Sequence, residues 1–233
     1  MFDGFTPETI DFMWNLSLNN NKMWFEENKL KFIQYFQNPM KELAKEVHER
    51  LAADAGKNGF ALICKVSRIY KDARRVRGGE PYRCNMWFTV EAPAEHWQSE
   101  PVFWFELAPK AWSYGLGFYQ AKAETMAKLR ARIDSNPKEF EKFTAPLKDQ
   151  TEFVLDGEEY SRKKIQQSQN APGCANADGS SSAWYNKKSV SLAHNQQNGD
   201  ELYSRGLADR LVSGCLFLMP FYKFFVSLDA EAK

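Results

Sequence analysis

The spacing of the apolar residues changes once near the start of the chain, and this change limits the folds that the chain can adopt. Up to about residue 55, apolar side chains recur every three to four residues, as on the buried face of a helix. After the turn-forming glycines Gly56 and Gly59, they alternate in steps of two, as on a half-buried strand. Helices followed by several consecutive strands predict an α+β fold.

Three helices are predicted before the first strand. Thr6-Pro7-Glu8 favours a helix start, because Thr can cap the helix and Pro suits its first position. A second helix is predicted over about 22–36, and Asn38-Pro39 repeats the same signal for a third helix. The third helix has apolar residues at helical spacing, namely Met40, Leu43, Ala44, Val47 and Leu51.

The segments that follow predict a mostly antiparallel central sheet. Short connections rich in Pro and Gly favour an antiparallel meander over crossover units. The segment 102–107 is apolar on both faces, which is typical of a central strand. Strands are predicted at 60–64, 66–72, 83–91, 102–107, 113–118, 152–155 and 189–193.

Further helices are predicted after the sheet. They begin at about Lys122, after Asn136-Pro137, at Asp200 and at Pro220. The segment 166–183 is rich in Gln, Asn, Ser and Gly, and it predicts a mobile polar loop, either a lid or plain disorder. With no internal repeat and no clear linker, residues 1–233 are expected to form a single α+β domain.

Composition narrows the function classes. An aromatic content of 15% indicates a core rich in Phe and Trp, and a net charge of +1 argues against a general nucleic-acid binder. The most apolar run, 215–228, is interrupted by Pro220 and Lys223 and is too short to span a bilayer. The N-terminus is acidic and enters a helix at once, unlike a signal peptide. We therefore expect a soluble, cytoplasmic protein.

The cysteines and histidines show no ligand spacing. The four cysteines are far apart without a C-x-x-C pair, which is typical of free thiols in a reducing compartment. The three histidines have no neighbours at metal-ligand spacing. We expect neither a metal site nor a bound cofactor.

Several short motifs occur in a characteristic order along the chain. They include Phe2-Asp-Gly-Phe-Thr-Pro-Glu-Thr, Asn20-x-x-x-Trp-Phe, Arg68-Ile-Tyr-Lys-Asp-x-Arg, Pro81-Tyr-Arg, Gly117-Phe-Tyr-Gln, Gly157-x-x-Tyr-x-Arg and Met219-Pro-Phe-Tyr. Together they resemble the bacterial and fungal conserved-hypothetical family known as domain of unknown function 2461, almost from end to end. The resemblance implies an α+β domain, and it implies no established activity.

Positive charge is concentrated in one place, the segment 65–83, which we call the basic segment. It contains seven Lys and Arg residues against two acids, so the rest of the chain carries a net charge of −4. Arginine forks held by a neighbouring carboxylate, such as Asp72 beside Arg74, are suited to phosphate or carboxylate ligands. The candidate ligand-binding residues are Arg68, Tyr70, Asp72, Arg74, Tyr82 and Arg83.

Several readings of the basic segment remain open. It can be an exposed hairpin whose arginines pair with acids elsewhere in the chain, or a binding site for a small anionic ligand. Nucleic acid is a less favoured ligand, for which Tyr70, Tyr82 and Trp87 offer stacking surfaces. An enzyme would use Glu106 or Asp72 with the arginines, and Glu106 needs a partner in its apolar strand. A protein-interaction module would dock an acidic partner here.

Overall fold

The computed structural model describes residues 1–57, 59, 61–72, 74, 79–94, 97–162 and 180–230. The α-helices are α1 Pro7–Leu18, α2 Lys22–Lys31, α3 Asn38–Lys57, α4 Ala123–Ser135, α5 Pro137–Thr144, α6 Ser180–Tyr185 and α7 Gly206–Ala230. The strands are β1 Ile63–Val66, β2 Met86–Glu91, β3 Pro101–Leu107, β4 Ala111–Phe118, β5 Val154–Asp156 and β6 Ser191–Gln197.

The described strands form one six-stranded antiparallel sheet in the order β1-β2-β3-β4-β6-β5. The first four strands are neighbours in chain order, and Val90 of β2 lies opposite both Cys64 and Phe103. The predicted α+β class and the meander are therefore confirmed, and the doubly apolar β3 lies in the interior of the sheet. The last two strands are exchanged, so that β6 is inserted between β4 and β5.

Backbone contacts divide the chain into two compact units. The first unit consists of Met1–Pro93, Phe103–Tyr114 and Asn195–Phe217, and the second of Ala94–Val102, Gly115–His194 and Leu218–Lys233. Four of the five boundaries fall inside β3, β4, β6 and α7, and the fifth lies between Pro93 and Ala94, after β2. The single domain expected from the sequence stays a prediction.

The predicted break between the second and third helices is absent. A π-helical segment, Phe32–Gln37, leads directly into α3, and Asn38 keeps a helical conformation with φ −66° and ψ −49°. Pro39 has no N–H, so the carbonyl of Tyr35 lacks its usual helical donor. The buried hydroxyl of Thr9 donates to this carbonyl at 2.5 Å. The wide π turn and this hydroxyl allow Pro39 to lie inside a continuous helix, at a position where the sequence predicts a helix start.

The core of the first unit is aromatic, as the composition indicates. Phe5 stacks on Phe105 with ring centroids 6.2 Å apart, and Phe88 lies 5.5 Å from Phe105 on the other side. Helix α3 packs on β1 and β2 through its apolar stripe, which includes Leu43 and Val47. This packing fixes the sheet edge from which the basic segment extends.

The strands around the basic segment are shorter than predicted. Strand β1 ends at Val66, and beyond it Tyr70 and Tyr82 form only an isolated antiparallel bridge. At the next pair, the N–H of Ser67 still donates to the carbonyl of Trp87 at 2.8 Å, but the N–H of Trp87 donates to the hydroxyl of Ser67, at 2.9 Å, instead of to a backbone carbonyl. Residue 60, at the start of the first predicted strand, lies outside the described residues.

The second unit contains the glycine-rich end of β4. A side chain at Gly115 would meet the carbonyl oxygen of Leu192 at 2.0 Å, and one at Gly117 would meet that of Val190 at 2.6 Å. The glycines therefore allow close approach of the adjacent backbone, as expected for smooth strand packing rather than a dinucleotide loop. Of the predicted mobile loop, residues 166–179 lie outside the described residues, and 180–183 begin helix α6.

Helix α7 corrects another prediction, because the separate helices expected at Asp200 and Pro220 are replaced by one helix of 25 residues. Pro220 lies inside it on the exposed side, and the carbonyl that it frees belongs to the exposed Leu216, where water can bond to it. The segment Gly206–Asp229 is long and apolar enough to cross a membrane by length and composition. Since 56% of its apolar window is buried inside the protein, it also fits a core helix, and the location of the protein stays a prediction.

Candidate functional site

The basic segment is a loop whose two ends are tied together by backbone hydrogen bonds. The N–H of Lys71 donates to the carbonyl of Pro81 at 2.9 Å, and that of Arg83 donates to the carbonyl of Ile69 at 2.8 Å. Ile69 is buried, which anchors the first arm to the core. Residues 73 and 75–78, in the connection between the arms, lie outside the described residues.

Asn20, from the turn between α1 and α2, clamps the second arm. Its side-chain oxygen accepts the N–H of Tyr82, and its amide donates to the carbonyl of Tyr82, both at 3.0 Å. The amide is also 3.7 Å from the sulfur of Cys84. Reasoning from charge missed this residue, although Asn20 opens one of the motifs that carry the family resemblance.

Two predicted site residues, Tyr70 and Tyr82, come together in an aromatic cluster with Phe25. The ring of Tyr82 stacks on Phe25 with centroids 4.1 Å apart and lies 5.4 Å from the ring of Tyr70. Burial raises the pKa of the Tyr82 hydroxyl, with further contributions from Tyr70 and Glu26. Tyr82 is 3% exposed and Tyr70 is 51% exposed, so Tyr70 is the ring that a ligand can reach.

Asp72 and Arg74 form the ion pair that their spacing indicates. Nε of Arg74 donates to one carboxylate oxygen of Asp72 at 3.0 Å and Nη2 donates to the other at 2.8 Å. The backbone N–H of Arg74 also donates to Asp72, at 3.1 Å. This bonding raises the pKa of Arg74, whose side chain is 89% exposed. The pair closes a local turn and cancels its own charge.

A second pair in the basic segment is also neutralised. Nζ of Lys71 lies 3.2 Å from a carboxylate oxygen of Glu80, and both side chains are partly exposed. The two acids of the segment are thus matched to Arg74 and Lys71. In these two pairs, the acids come from the basic segment itself and not from the rest of the chain.

Arg68 and Arg83 are different, because neither forms an ion pair with any described residue. Arg68 is exposed to solvent. The guanidinium carbon of Arg83 lies 4.8 Å from the ring centre of Trp87, a cation–π arrangement that orients the group through its face. A guanidinium held by its face keeps its edge donors available for a planar or tetrahedral anion.

Glu106, which the sequence predicts to need a partner in its apolar strand, has one. It lies on β3 opposite Trp87, and it accepts a hydrogen bond from the side-chain amide of Asn85. Asn85 and Trp87 are two positions apart, so both lie on the strand face that meets Glu106. A carboxylate on this face repels an anion, so an anion bound by Arg83 must approach from the side away from Glu106.

Next to the basic segment, β1 and β2 share a buried acid. Glu91 is 1% exposed and accepts a bond from Lys65, while its second oxygen has no hydrogen-bond partner. Burial, together with the negative charge of Glu91, raises the pKa of the Cys64 thiol to about 11. Cys64 is therefore protonated at neutral pH and is not an activated nucleophile. The described cysteines, Cys64, Cys84 and Cys215, are free.

The described residues contain no group of three or more His, Cys, Asp or Glu side chains placed to hold a metal ion. The described part of the basic segment has two arginines without an acid partner, one of them stacked on Trp87, and an exposed tyrosine, Tyr70. Hydrogen bonding and cation–π contact are the interactions that this arrangement offers.

Comparison with known proteins agrees with the resemblance seen in the motifs. The sequence pattern of the family described as conserved hypothetical protein (DUF2461) matches residues 8–224. The chain therefore belongs to this family. No curated protein matches it significantly.

Proposed function

We propose that this member of the DUF2461 family is a binding protein for an anionic ligand, one that carries a phosphate or carboxylate group and docks on the basic segment. The observation that supports the proposal best is the guanidinium of Arg83, which is stacked on Trp87 and has no acid partner among the described residues. Stacking restricts the side chain before the ligand arrives, which reduces the entropy lost on binding.

The six candidate residues divide into contacts and supports. Arg83 and Arg68 supply the charge, and Tyr70, two positions after Arg68, supplies an exposed ring. Asp72 and Arg74 stabilise the turn of the loop through their ion pair, and the buried ring of Tyr82 packs against the ring of Tyr70. Asn20 fixes the arm that carries Arg83, so it is an indirect contributor.

A second candidate function is the docking of an acidic protein partner. It is favoured by the exposure of Tyr70 and Arg74, since aromatic and arginine side chains are enriched in protein interfaces. A partner of this kind would cover the whole loop, whereas a small ligand would contact Arg83 and Arg68 alone.

An enzymatic role would need an acid–base group at the same place. Asp72 already accepts two hydrogen bonds from the Arg74 side chain, which leaves Glu106 as the carboxylate to test. Turnover of a bound ligand that is lost in Glu106→Gln while binding is retained would favour this role.

The experiment is calorimetric titration of the protein with inorganic phosphate, a nucleoside monophosphate, a short single-stranded oligonucleotide and an acidic peptide. The double variant Arg68→Ala/Arg83→Ala should weaken binding of the small anions by about 100-fold, because two charge-assisted contacts are lost. Arg74→Ala is the matched control, and it should keep the affinity for small anions.

The outcomes separate the alternatives. Equal affinity in wild type and in the double variant contradicts anion binding at this segment. Tight binding of the acidic peptide alone, falling in Arg74→Ala and at high salt, supports the interaction module instead. Binding of the oligonucleotide but not of mononucleotides would identify nucleic acid as the ligand.

A further inference from the structure

We propose a second anion site, in the second unit, where Arg130 of α4 binds a phosphate group. None of its residues belongs to the basic segment. Arg130 is 8% exposed, and it lies beside Leu129 and Met126 on the buried face of its helix. A guanidinium is always charged, so this burial places a full positive charge in the interior.

No described acid compensates the charge of Arg130. Within the described residues it forms no ion pair and no hydrogen bond, and its buried Nη1 has no partner there. Removing a cation from water without an acid or an acceptor is among the costlier arrangements in a folded protein. A bound anion would remove this cost.

Lys187, which is also buried in the described part of this unit, shows the usual solution. It is 7% exposed, but its Nζ lies 3.0 Å from a carboxylate oxygen of Glu159 and 3.1 Å from the carbonyl oxygen of Gly157. On α4 itself, Lys128 pairs with Asp229 at 2.9 Å. Arg130 differs from both lysines, because no described acid pairs with it.

A second unsatisfied polar group lies on the helix that packs against α4. Ser181 of α6 is 1% exposed, and its hydroxyl has no partner. One helical turn further along each helix, the hydroxyl of Tyr185 donates to Asp134 at 3.0 Å. Because residues four apart share a helix face, Arg130 and Ser181 lie on the facing sides of α4 and α6. Two unsatisfied groups therefore line the same contact.

Tyr160 forms one wall of the site and leaves it accessible. Its ring centre lies 5.6 Å from the guanidinium carbon of Arg130, which is a cation–π contact. This contact stabilises the charge through the face of the guanidinium, but it satisfies none of the N–H donors at the edge. Tyr160 is only partly buried, so a ligand can approach along its ring.

The donors select the ligand class. A guanidinium fork engages two oxygens of an oxyanion in its own plane. The remaining oxygens of a tetrahedral phosphate project out of that plane and can accept from a hydroxyl such as that of Ser181, whereas a planar carboxylate has both oxygens and their lone pairs in the plane of the fork. The nearest acid on the same face of α4, Asp134, is engaged by Tyr185. The geometry therefore favours the phosphate group of a small molecule over a carboxylate.

The test is a thermal-shift and calorimetric titration of the full chain in chloride buffer with inorganic phosphate, sulfate and acetate. We expect phosphate to raise the melting temperature, with acetate having a smaller effect. In the Arg68→Ala/Arg83→Ala background, which lacks the unpaired arginines of the basic segment, Arg130→Met should abolish the response, Arg130→Lys should weaken binding about tenfold or more, and Ser181→Ala should weaken it several-fold. Arg130→Lys keeps the charge, and it serves if Arg130→Met does not fold.

Two controls separate this site from the basic segment. Arg132→Met, on the same helix, should bind phosphate as the wild type does, and Arg68→Ala/Arg83→Ala should keep the part of the phosphate response that depends on Arg130. The inference is overturned if phosphate stabilises wild type and Arg130→Met equally, or if no oxyanion stabilises the wild type. It is also overturned if binding is lost in Arg68→Ala/Arg83→Ala and kept in Arg130→Lys, a result that would support the basic segment alone.

Discussion

The basic segment and the surroundings of Arg130 differ in the number, the exposure and the pairing of their positively charged side chains. In the basic segment the cations are numerous and exposed, and Arg74 and Lys71 have acids from the same loop. At Arg130 there is a single cation, nearly buried, without an acid among the described residues. The cluster of Lys and Arg in the basic segment is evident from the sequence, whereas nothing in the sequence distinguishes Arg130 from other arginines.

The difference shows what an unpaired cation can and cannot mean. Arg68 is exposed, and water satisfies it, so its lack of an ion pair costs little and does not by itself require a ligand. Arg130 is buried, and its unsatisfied N–H groups cost free energy in every folded molecule. A bound anion would therefore lower the free energy more at Arg130 than at Arg68, although the basic segment has more positive charge.

The largest expected effect tests whether burial of the partner sets the cost of breaking an ion pair. Lys65→Met leaves the carboxylate of Glu91 buried and unpaired, and it should lower the free energy of unfolding by about 3 kcal/mol. Lys45→Met is the matched control, because its partner Glu49 is 63% exposed, and it should cost about 0.3 kcal/mol. Urea unfolding measures both.

A double variant completes the Lys65 test. Lys65→Met/Glu91→Gln removes both charges and should recover most of the lost stability. Similar losses in the Lys65 and Lys45 variants would break the comparison, because they would show that partner burial does not govern these pairs.

The second effect has the opposite sign. In chloride buffer without phosphate, Arg130→Met should be as stable as the wild type or about 1 kcal/mol more stable, because it replaces an unpaired buried charge by an apolar chain of similar length. Added phosphate should reverse the order by stabilising the wild type more than the variant. A large loss of stability in chloride buffer would mean that contact with Tyr160 holds Arg130 for structural reasons.

Sequence patterns predicted the features that depend on nearby residues. The spacing of Leu43 and Val47 indicated α3, and the alternation along 83–91 indicated the strand β2, although β2 is buried on both faces and not on one. The Asp72–Arg74 pair was also predictable, since the two residues are two positions apart. In each case the cause of the structure lies within one turn or one strand.

The failures depend on residues far apart in the chain. The local pattern Asn38-Pro39 predicts a helix start. The helix continues through Pro39 because the hydroxyl of Thr9, on another helix, bonds to the carbonyl of Tyr35, and a local pattern cannot show this bond. The clamp between Asn20 and Tyr82 joins residues 62 positions apart. Likewise, the isolation of Arg130 depends on which groups other elements place around it. Local periodicity contains none of this information.

A paired acid on the second unit gives a smaller, pH-dependent effect. Burial tends to raise the pKa of Asp229, but hydrogen bonds from Thr125 and Lys128 outweigh it, so the pKa is lowered. Its stabilisation is therefore present above the unfolded pKa of about 3.9 and lost as the pH falls through the lower folded value. Asp229→Asn should cost about 0.5 kcal/mol at pH 7, discounted for partial exposure.

The measurement for Asp229 is urea unfolding of wild type and variant from pH 7 to pH 2. The difference between them should close as Asp229 is protonated in both states. A difference that stays constant to pH 2 would show that Asp229 acts through packing or a neutral hydrogen bond, and not as a charged partner of Lys128.

The smallest expected effect is that of Arg74→Ala. The pair with Asp72 is bidentate, but the Arg74 side chain is 89% exposed, so water replaces its hydrogen bonds when it is removed. The urea midpoint should not change measurably, and the same holds for Arg68→Ala, which has no pair to lose. A clear loss of stability in Arg74→Ala alone would mean that the pair holds the loop between Tyr70 and Tyr82, and exposure would then be a poor guide to the role of an arginine in this protein.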